Sequence, residues 1–460
     1  MEMIFVDKYI YWDEDLEIRQ LADGSKVLKV YREFNDNMPN KTSKQTIYRL
    51  NDTASEIVQL INGTRTYSDI ISFLSEKYNE EYDSIKNKVT NFLNEISNAY
   101  SLKINTTKSP FEKYTNVVKK ETIYPTVASI ELTNKCNLRC KHCYGDFGNL
   151  TNAVMSLDNV KALLDDLKST GVTIVELTGG ELTVHPNIKE ILLYAISLNF
   201  NQISILTNGV NLSDKLIDII IENKSNLFVQ IDLHSMNDEY LTWFTKVSNT
   251  LETVENNIIR LAKNNVRMRI ATIITPKNLN EVEKIADWVH NLGIKHYGVS
   301  MVVPLGRAVG FDSDLILNQQ ETIHLEEILE RINKKYENFL SLVDYDRSRD
   351  TNCGCLTSHC VISSDGNIKI CTMDNFQYFN GNIGNVFTKK LKDIFDENSD
   401  YINAFFNMES PKNNSPECMN CKNQNFCSSC VLRGLIKAKE LKDKCLWYVN
   451  KIPKVVKDRL

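Results

Sequence analysis

Six short apolar runs alternate with amphipathic helical segments between residues 126 and 340. The runs are Ala128–Leu132, Ile174–Leu177, Gln202–Leu206, Phe228–Leu233, Met268–Ile274 and His296–Val303. Segments such as Leu157–Thr170, Ile188–Leu198 and Val282–Leu292 separate them. Strands spaced by helices pair in parallel, because a parallel neighbour is reached only through a crossover of about a dozen residues. Six such units predict an α/β fold, a partial (β/α)6 TIM-like barrel. Chemistry in such folds collects just past the C-terminal ends of the strands. The cysteine loop (Cys136, Cys140, Cys143) follows the first run and Thr178-Gly179-Gly180-Glu181 the second. Thr207-Asn208-Gly209, Asp232-Leu233-His234-Ser235, Thr275-Pro276-Lys277-Asn278 and Pro304-Leu305-Gly306-Arg307 follow the others. Polar groups repeated at one end of every strand predict a single shared pocket.

The three cysteines lie in the run Thr133 to Tyr144 with the spacing C-x3-C-x2-C. Three thiolates in one tight loop hold three irons of a cubane cluster and leave the fourth iron without a protein ligand. An open iron binds a small molecule, so such a site is reactive. A zinc loop is the competing reading, although zinc clips usually come as C-x2-C pairs with a matching second pair.

The chain has 12 cysteines and a net charge of −5. That charge supplies no global basic field, so nucleic acid is not an expected partner. The start, Met1 to Asp7, lacks a basic segment with a long apolar run, and no stretch approaches the roughly 20 apolar residues of a membrane span. The expectation is a cytoplasmic protein with no membrane partner. Disulfides are uncommon in that compartment, which leaves metal or cluster ligation as the use for the thiols.

Residues 1–105 contain no cysteine. Strand-like alternation at Ile4–Val6 and Lys26–Tyr31, with a turn at Asp23-Gly24, precedes three helical segments. Asn51 caps the first and Thr66 the second; the third runs from Ile85 to Tyr100. This pattern predicts a small winged-helix-like domain. A DNA-binding winged helix is the alternative, but no dense basic stripe supports it. Residues 106–125 are polar and rich in Lys and Thr, and read as a linker. The barrel is expected over 126–340. Residues 341–460 hold nine of the 12 cysteines, in a loop-rich stretch whose folding would draw on metal binding.

Taken together, the C-x3-C-x2-C loop, Gly179-Gly180-Glu181 and the C-terminal cysteines resemble radical S-adenosylmethionine (SAM) enzymes carrying a SPASM domain. Among them the chain is most similar to the subtilosin-type sactipeptide maturases, which form thioethers. The segments Leu50 to Gly63 and Thr66 to Ile70 resemble the peptide-recognition domain fused to such maturases, a fold shared with the pyrroloquinoline-quinone chaperone. The resemblance implies that Cys136, Cys140 and Cys143 bind a [4Fe–4S] cluster whose open iron takes the amino and carboxylate groups of SAM. Gly179 and Gly180 would expose backbone to the SAM amino group, with Thr178 and Glu181 beside it. Thr207, Asn208 and Asp232 would contact ribose or carboxylate, and Arg307 a carboxylate of SAM or peptide. His142 stands where the family commonly has Tyr or Phe, and Leu182 where Pro is frequent.

Two auxiliary [4Fe–4S] clusters are also implied. Cys418, Cys421, Cys427 and Cys445 would hold the distal one, and Cys353, Cys371 and Cys430 the proximal one. Cys430 follows Cys427 at x2, where the family has x3. Cys360, or else Cys355, would be the fourth proximal ligand; with neither, that cluster has an open iron. The function implied is an oxidoreductase acting on a ribosomally made precursor peptide, whose leader the N-terminal domain binds as an added strand. A 5′-deoxyadenosyl radical would abstract hydrogen, and a Cys sulfur would close onto carbon. Flavodoxin or ferredoxin would supply electrons. Carbon–carbon or ether crosslinking and maturation of a peptide-derived quinone are the competing enzyme readings. A non-enzymatic zinc-binding winged-helix regulator is the competitor from another class. Sulfatase maturation is disfavoured because Thr372, not Asp, follows Cys371.

Overall fold

The structure is a computed structural model of the 460-residue chain. It describes residues 8–13, 15–20, 26–31, 48–100, 102–113, 115–119, 122–149, 152–310, 312–342, 353–376, 381–427 and 429–460. The strand expected at Ile4–Val6 and the turn at Asp23-Gly24 lie outside these residues. The chain divides into two compact units, Met1–Phe34 with Ser43–Ile123, and Asn35–Thr42 with Tyr124–Leu460. Among the described residues no helix is long and apolar enough to cross a membrane.

The first unit runs β1 (Tyr9–Trp12), β2 (Asp15–Gln20), β3 (Lys26–Tyr31), β4 (Tyr48–Leu50), α1 (Asp52–Leu60), β5 (Asn62–Thr66), α2 (Tyr67–Tyr78), α3 (Tyr82–Tyr100), β6 (Ile104–Thr107) and β7 (Asn116–Lys119). The three expected helices follow the first strands, with β5 inserted between α1 and α2. The Asn51 side chain accepts from Ala54 N at 2.7 Å, and Thr66 and Asp69 form a reciprocal capping box. Ile57, Val58, Ile70, Ile71, Leu74, Val89 and Leu93 bury one stripe of each helix against Ile10, Trp12, Ile18 and Leu28. The Trp12 indole N–H donates to Val58 O at 2.9 Å, so its polar end is satisfied inside the core.

The expected linker is partly structural. β6 pairs with β1 and β7 with β2, completing sheets of order β5-β1-β6 and β4-β3-β2-β7. Polar Ile104-Asn105-Thr106-Thr107 carries little apolar signal. An edge strand is held by main-chain hydrogen bonds and its threonines suit a half-buried pleat, so composition did not reveal it.

The second unit contains β8 (Val127–Glu131), α4 (Leu157–Thr170), β9 (Ile174–Thr178), α5 (Ile188–Ser197), β10 (Gln202–Thr207), α6 (Asp214–Glu222), β11 (Leu227–Asp232), α7 (Asp238–Thr245), α8 (Leu251–Lys263), β12 (Met268–Ile274), α9 (Val282–Asn291), β13 (His296–Met301), α10 (Asp312–Leu315), α11 (Gln319–Lys335) and β14 (Leu340–Leu342). β15 (His359–Ile362), β16 (Ile368–Lys369), α12 (Leu391–Glu397), α13 (Ser399–Asn407), α14 (Gln424–Cys427), α15 (Val431–Leu441), α16 (Leu446–Lys451) and α17 (Lys454–Lys457) follow. The six expected strands are present as β8 to β13, neighbours in sequence order. The sheet continues at both edges, in the order β14-β13-β12-β11-β10-β9-β8-β15-β16. β14 and β15 are parallel to their neighbours, and β16 turns back antiparallel. Thus the cysteine-rich region contributes strands to the barrel sheet itself.

One face of this sheet is apolar and buried, with Ala128, Ile130, Val175, Leu177, Ile203, Ile205, Val229, Ile231 and Ile270 at 0–1 % exposure. The other face is polar. Ser129 stands opposite Glu176, and Gln230 opposite Arg269. Ser129 hydrogen-bonds Glu176 and His359, and Arg269 donates to Gln230. A parallel sheet covered by helices on both sides would be apolar on both faces. A polar inner row instead suits an open barrel whose interior admits solvent or ligand.

Candidate active site

The cysteine loop leaves β8 and is tied down from three directions. Leu132 N donates to Thr178 O at 2.9 Å, Gly180 N to Thr133 O at 2.8 Å and Glu181 N to Lys135 O at 2.9 Å. Arg139 N and Lys141 N donate to Thr245 O and Phe244 O at 2.8 and 2.9 Å. Those carbonyls end α7 and have no partner within the helix, so the loop caps the helix while the helix fixes the loop. The thiols of Cys136, Cys140 and Cys143 lie within electrostatic reach of one another. Burial pushes Cys136 up to about 11 and raises Cys140 further. A bound cation would reverse that penalty and hold the thiolates.

His142 stacks on Phe244, with centroids 4.7 Å apart and planes at 6°, and meets His234 edge-on at 5.1 Å. One face of the His142 ring is therefore covered by protein. The His142 Nδ1 is buried and carries no hydrogen bond among the described residues. His234 Nδ1 accepts from Ile273 N at 3.2 Å, which requires neutral imidazole, and burial lowers its pKa to about 4. Its folded value lies below the unfolded value of about 6.5, so the unfolded chain binds the extra proton on acidification. Stability is expected to fall as pH drops through about 6.5 toward 4, by up to about 3 kcal/mol. Chemical denaturation across that window checks this; H234N keeps a hydrogen-bond acceptor without a titrating ring and should flatten the dependence.

Glu181 is only 2 % exposed, and its carboxylate is fully engaged. Oε1 accepts from Thr183 N at 3.0 Å, Thr183 Oγ1 at 2.7 Å and Thr207 Oγ1 at 2.7 Å, and Oε2 accepts from Asn208 N at 2.8 Å. The carboxylate thus joins the ends of β9 and β10. The Thr207 hydroxyl also accepts from Gly209 N at 3.1 Å, so it belongs to this network. Asn208 Nδ2 donates to Asn137 Oδ1 at 2.7 Å, linking β10 to the cysteine loop. Asn137 was not foreseen, because one Asn inside a cysteine run carries no pattern. Thr178 ends β9 opposite Glu131. Burial lifts Asp232, at the end of β11, to about 6; Gln230, donating at 3.2 Å, pulls the other way.

The glycine pair lets the strand end lie against the cysteine loop. A Cβ on Gly179, which has φ +134, would lie 2.5 Å from Thr133 O, and one on Gly180 2.4 Å from Lys135 O. The backbone of the cysteine loop occupies the space a side chain would need.

Arg307 is hydrogen-bonded to the cysteine loop. Its Nε donates to Cys140 O at 2.8 Å, and its Nη1 to Asp146 Oδ1 at 2.9 Å and Phe147 O at 3.0 Å. Its own N donates to Cys143 O at 3.0 Å. The guanidinium therefore clamps the cysteine loop from the end of the sixth strand and favours thiolate at Cys140.

The C-terminal cysteines gather into two sets. Cys418, Cys421, Cys427 and Cys445 influence one another electrostatically, as do Cys353, Cys371 and Cys430. Cys360 joins neither. It is fully buried in β15 opposite Ala128, on the apolar face of the sheet. Strand alternation points its thiol to the face opposite that of its neighbour His359, which bonds Ser129.

Between the catalytic loop and the segment around Cys371 lies a buried polar bridge. Tyr144 is hydrogen-bonded to Thr372 and lies near Cys143, Glu131 and Cys371, and Asn375 Nδ2 donates to Tyr144 O at 3.3 Å. Lys369 Nζ donates to Glu131 Oε1 at 2.6 Å, with both side chains 4 % exposed. A lone Glu in the apolar run Val127 to Leu132 was the available signal, since a buried acid needs a partner.

Among the described residues no three His, Cys, Asp or Glu side chains converge tightly enough to hold a single metal ion.

Residues 130–289 match the radical SAM superfamily, 39–100 match coenzyme PQQ synthesis protein D (PqqD), and 353–422 match an iron–sulfur cluster-binding SPASM domain. The chain is 26% identical over 454 residues to the antilisterial bacteriocin subtilosin biosynthesis protein AlbA of Bacillus subtilis strain 168, covering 97% of this chain and 98% of that protein. It is 24% identical over 274 residues to the sporulation killing factor maturation protein SkfB of the same strain, covering 59% and 64%. Among solved structures, Streptococcus suis SuiB bound to S-adenosylmethionine shares the fold, with TM-score 0.59 and 16% identity over 92% of this chain and 96% of that one. Barrel, cysteine loop and domain matches define a radical SAM enzyme. A PqqD domain stands before the radical SAM domain and a SPASM domain after it, and this order continues through the similarity to the subtilosin biosynthesis protein. Its radical SAM domain takes SAM and a [4Fe–4S] cluster, and its SPASM domain takes auxiliary iron–sulfur clusters. The zinc-regulator reading falls with this assignment.

Proposed function

We propose that this enzyme forms intrapeptide thioether bridges, Cys sulfur to carbon, in a ribosomally made precursor peptide. The observation that carries the reading is the similarity to the subtilosin biosynthesis protein, which runs through all three domains and covers 97% of this chain. A second support is that SuiB, whose fold this chain shares, has been seen bound to its precursor peptide SuiA. When bound, SAM and the clusters supply the acceptor for a substrate hydrogen atom and for the electron that remains.

The chain's own residues hold and shape the site. Cys136, Cys140 and Cys143 hold the catalytic cluster; Arg307 and α7 fix their loop; Gly179 and Gly180 let β9 approach it. Asp232 and Thr178, which end β11 and β9, lie beside SAM in this reading. Cys418, Cys421, Cys427 and Cys445 hold one auxiliary cluster, and Cys353, Cys371 and Cys430 belong to the other. The leader binds to the PqqD domain as an added strand, for which the outer strands β5 and β6, or β4 and β7, present edges. A flavodoxin or ferredoxin supplies electrons.

The test is the mass of a Cys-containing precursor after anaerobic incubation with reconstituted enzyme, SAM and reductant. Loss of two hydrogens per bridge, with the cysteines no longer open to alkylation, is the expected result. The same loss with cysteines still free would replace the thioether by a carbon–carbon or carbon–oxygen link. Unchanged mass with solvent deuterium taken up would make the reaction redox-neutral.

A further inference from the structure

We propose that Cys355, and not Cys360, is the fourth protein ligand of the proximal auxiliary cluster, so that every iron of that cluster is held by the chain. The ligand assignment rests on the cluster placement proposed above. Its consequence, that the substrate sulfur does not bind an auxiliary iron, rests on the thioether reading.

The first support is the turn that carries Cys355. Gly354, at φ +81, has its carbonyl oxygen accepting from Thr357 N, Ser358 N and His359 N at 3.1, 2.9 and 3.1 Å. That positive φ is one an L side chain rarely adopts, so the turn favours glycine there. Leu356 is held at φ +60, a conformation that bulky side chains rarely adopt, and its side chain is fully buried. Such strain persists only where the surroundings over-determine it, and it is found at sites that must aim a neighbouring group. Here the residues on either side of Gly354 are both cysteines, and the turn aims them together.

The second support is contact. The Cys353 and Cys355 thiols are hydrogen-bonded to each other, and Cys355 lies within electrostatic reach of Cys371 and Cys430. Cys355 is therefore the only other cysteine of the described residues that shares surroundings with all three proximal thiols. Four thiolates complete the ligation of a [4Fe–4S] cluster.

The third is the exclusion of Cys360. β15 pairs in register with β8, Cys360 standing opposite Ala128 and His359 opposite Val127. His359 faces the polar row, where it hydrogen-bonds Ser129 at 2.7 Å. Its neighbour Cys360 must face the other way. Moving its sulfur across would require a register slip that turns every side chain of β15 over.

The test uses the reduced, SAM-saturated holoenzyme, in which SAM occupies the open iron of the catalytic cluster, with 13C-cyanide as the probe. Electron–nuclear double resonance on the auxiliary signals reads whether cyanide binds. The native enzyme should show no 13C coupling, and C360A should match it in spectrum and iron content. C355A should either gain a 13C coupling or lose one cluster's share of iron together with the proximal signal. C355S, which offers oxygen in place of sulfur, should keep the cluster with shifted g-values. A 13C coupling in the native enzyme, a coupling that appears in C360A, or a C355A spectrum identical to native would each overturn the proposal. No peptide enters the measurement, so a product other than a thioether would leave this result standing.

Discussion

Alanine at Gly180 is expected to lower 5′-deoxyadenosine formation by about 100-fold or more, the scale of loss that follows when catalytic groups are misplaced by about an ångström. The added Cβ would sit 2.4 Å from Lys135 O and 2.8 Å from its carbonyl carbon, closer than real contacts allow. Both obstacles are backbone of the cysteine loop, and no side chain can swing aside to relieve them. The strand end or the loop must move, and the hydrogen bonds Gly180 N to Thr133 O and Glu181 N to Lys135 O move with it. G179A should behave alike, because its Cβ meets Thr133 O at 2.5 Å and φ +134 disfavours any side chain. Iron analysis separates two causes. If the glycines serve loop packing, the catalytic cluster is lost while the auxiliary signals survive. If they only admit SAM, iron content stays native and the concentration of SAM needed for half-maximal rate rises. The structure predicts the first result.

Replacing Lys369 by Met is expected to cost about 3–5 kcal/mol of stability at neutral pH, read as a shift in the denaturant midpoint. Lys369 and Glu131 are each 4 % exposed and meet at 2.6 Å, so removing the ammonium strands a buried carboxylate. Burial already pushes Glu131 above the ordinary carboxylate range, with Lys369 acting against it. Without Lys369 that rise is larger. The native state then binds a proton that the unfolded chain, with a Glu value of about 4.3, does not hold. The deficit of K369M should therefore shrink as pH falls through the raised folded value toward about 4.3. The double variant E131L/K369M should recover most of the loss, because an apolar pair leaves no charge to strand. A K369M midpoint equal to native would mean that Glu131 finds another partner or water. The pair joins β8, which leads into the catalytic loop, to β16, which leads into Cys371. It thereby fixes two cluster-bearing segments to each other.

The barrel and the catalytic loop were legible in the sequence because their signals are local. Apolar runs such as Met268–Ile274 mark a strand within seven residues, and β12 occupies those same positions. The spacing of Cys136, Cys140 and Cys143 marks a chelating loop within eight. Capping at Asn51 and Thr66 was equally visible, since a cap is decided within four residues. Strands β6, β14 and β15 were not. Each is only three or four residues long, and their residues pair with strands far away in sequence.

The chemistry divides in the same way. The sequence by itself determined the cofactor class, because three thiols in one loop need no help from the rest of the chain to define a cluster with an open iron. Only the tertiary structure decided what Arg307, Thr207 and Glu181 do. Arg307 reaches back 167 positions to Cys140, and Glu181 reaches forward 26 to Thr207, where each spends hydrogen bonds that a reading of the chain left free for ligand. The proposed choice of Cys355 over Cys360 rests on the tertiary structure as well. Both are cysteines in the same short stretch, but one stands on a strained turn and the other in a strand whose register faces it away. A hydrogen-bonding group has few bonds to give, and which partner takes them depends on residues brought together by folding rather than on neighbours along the chain.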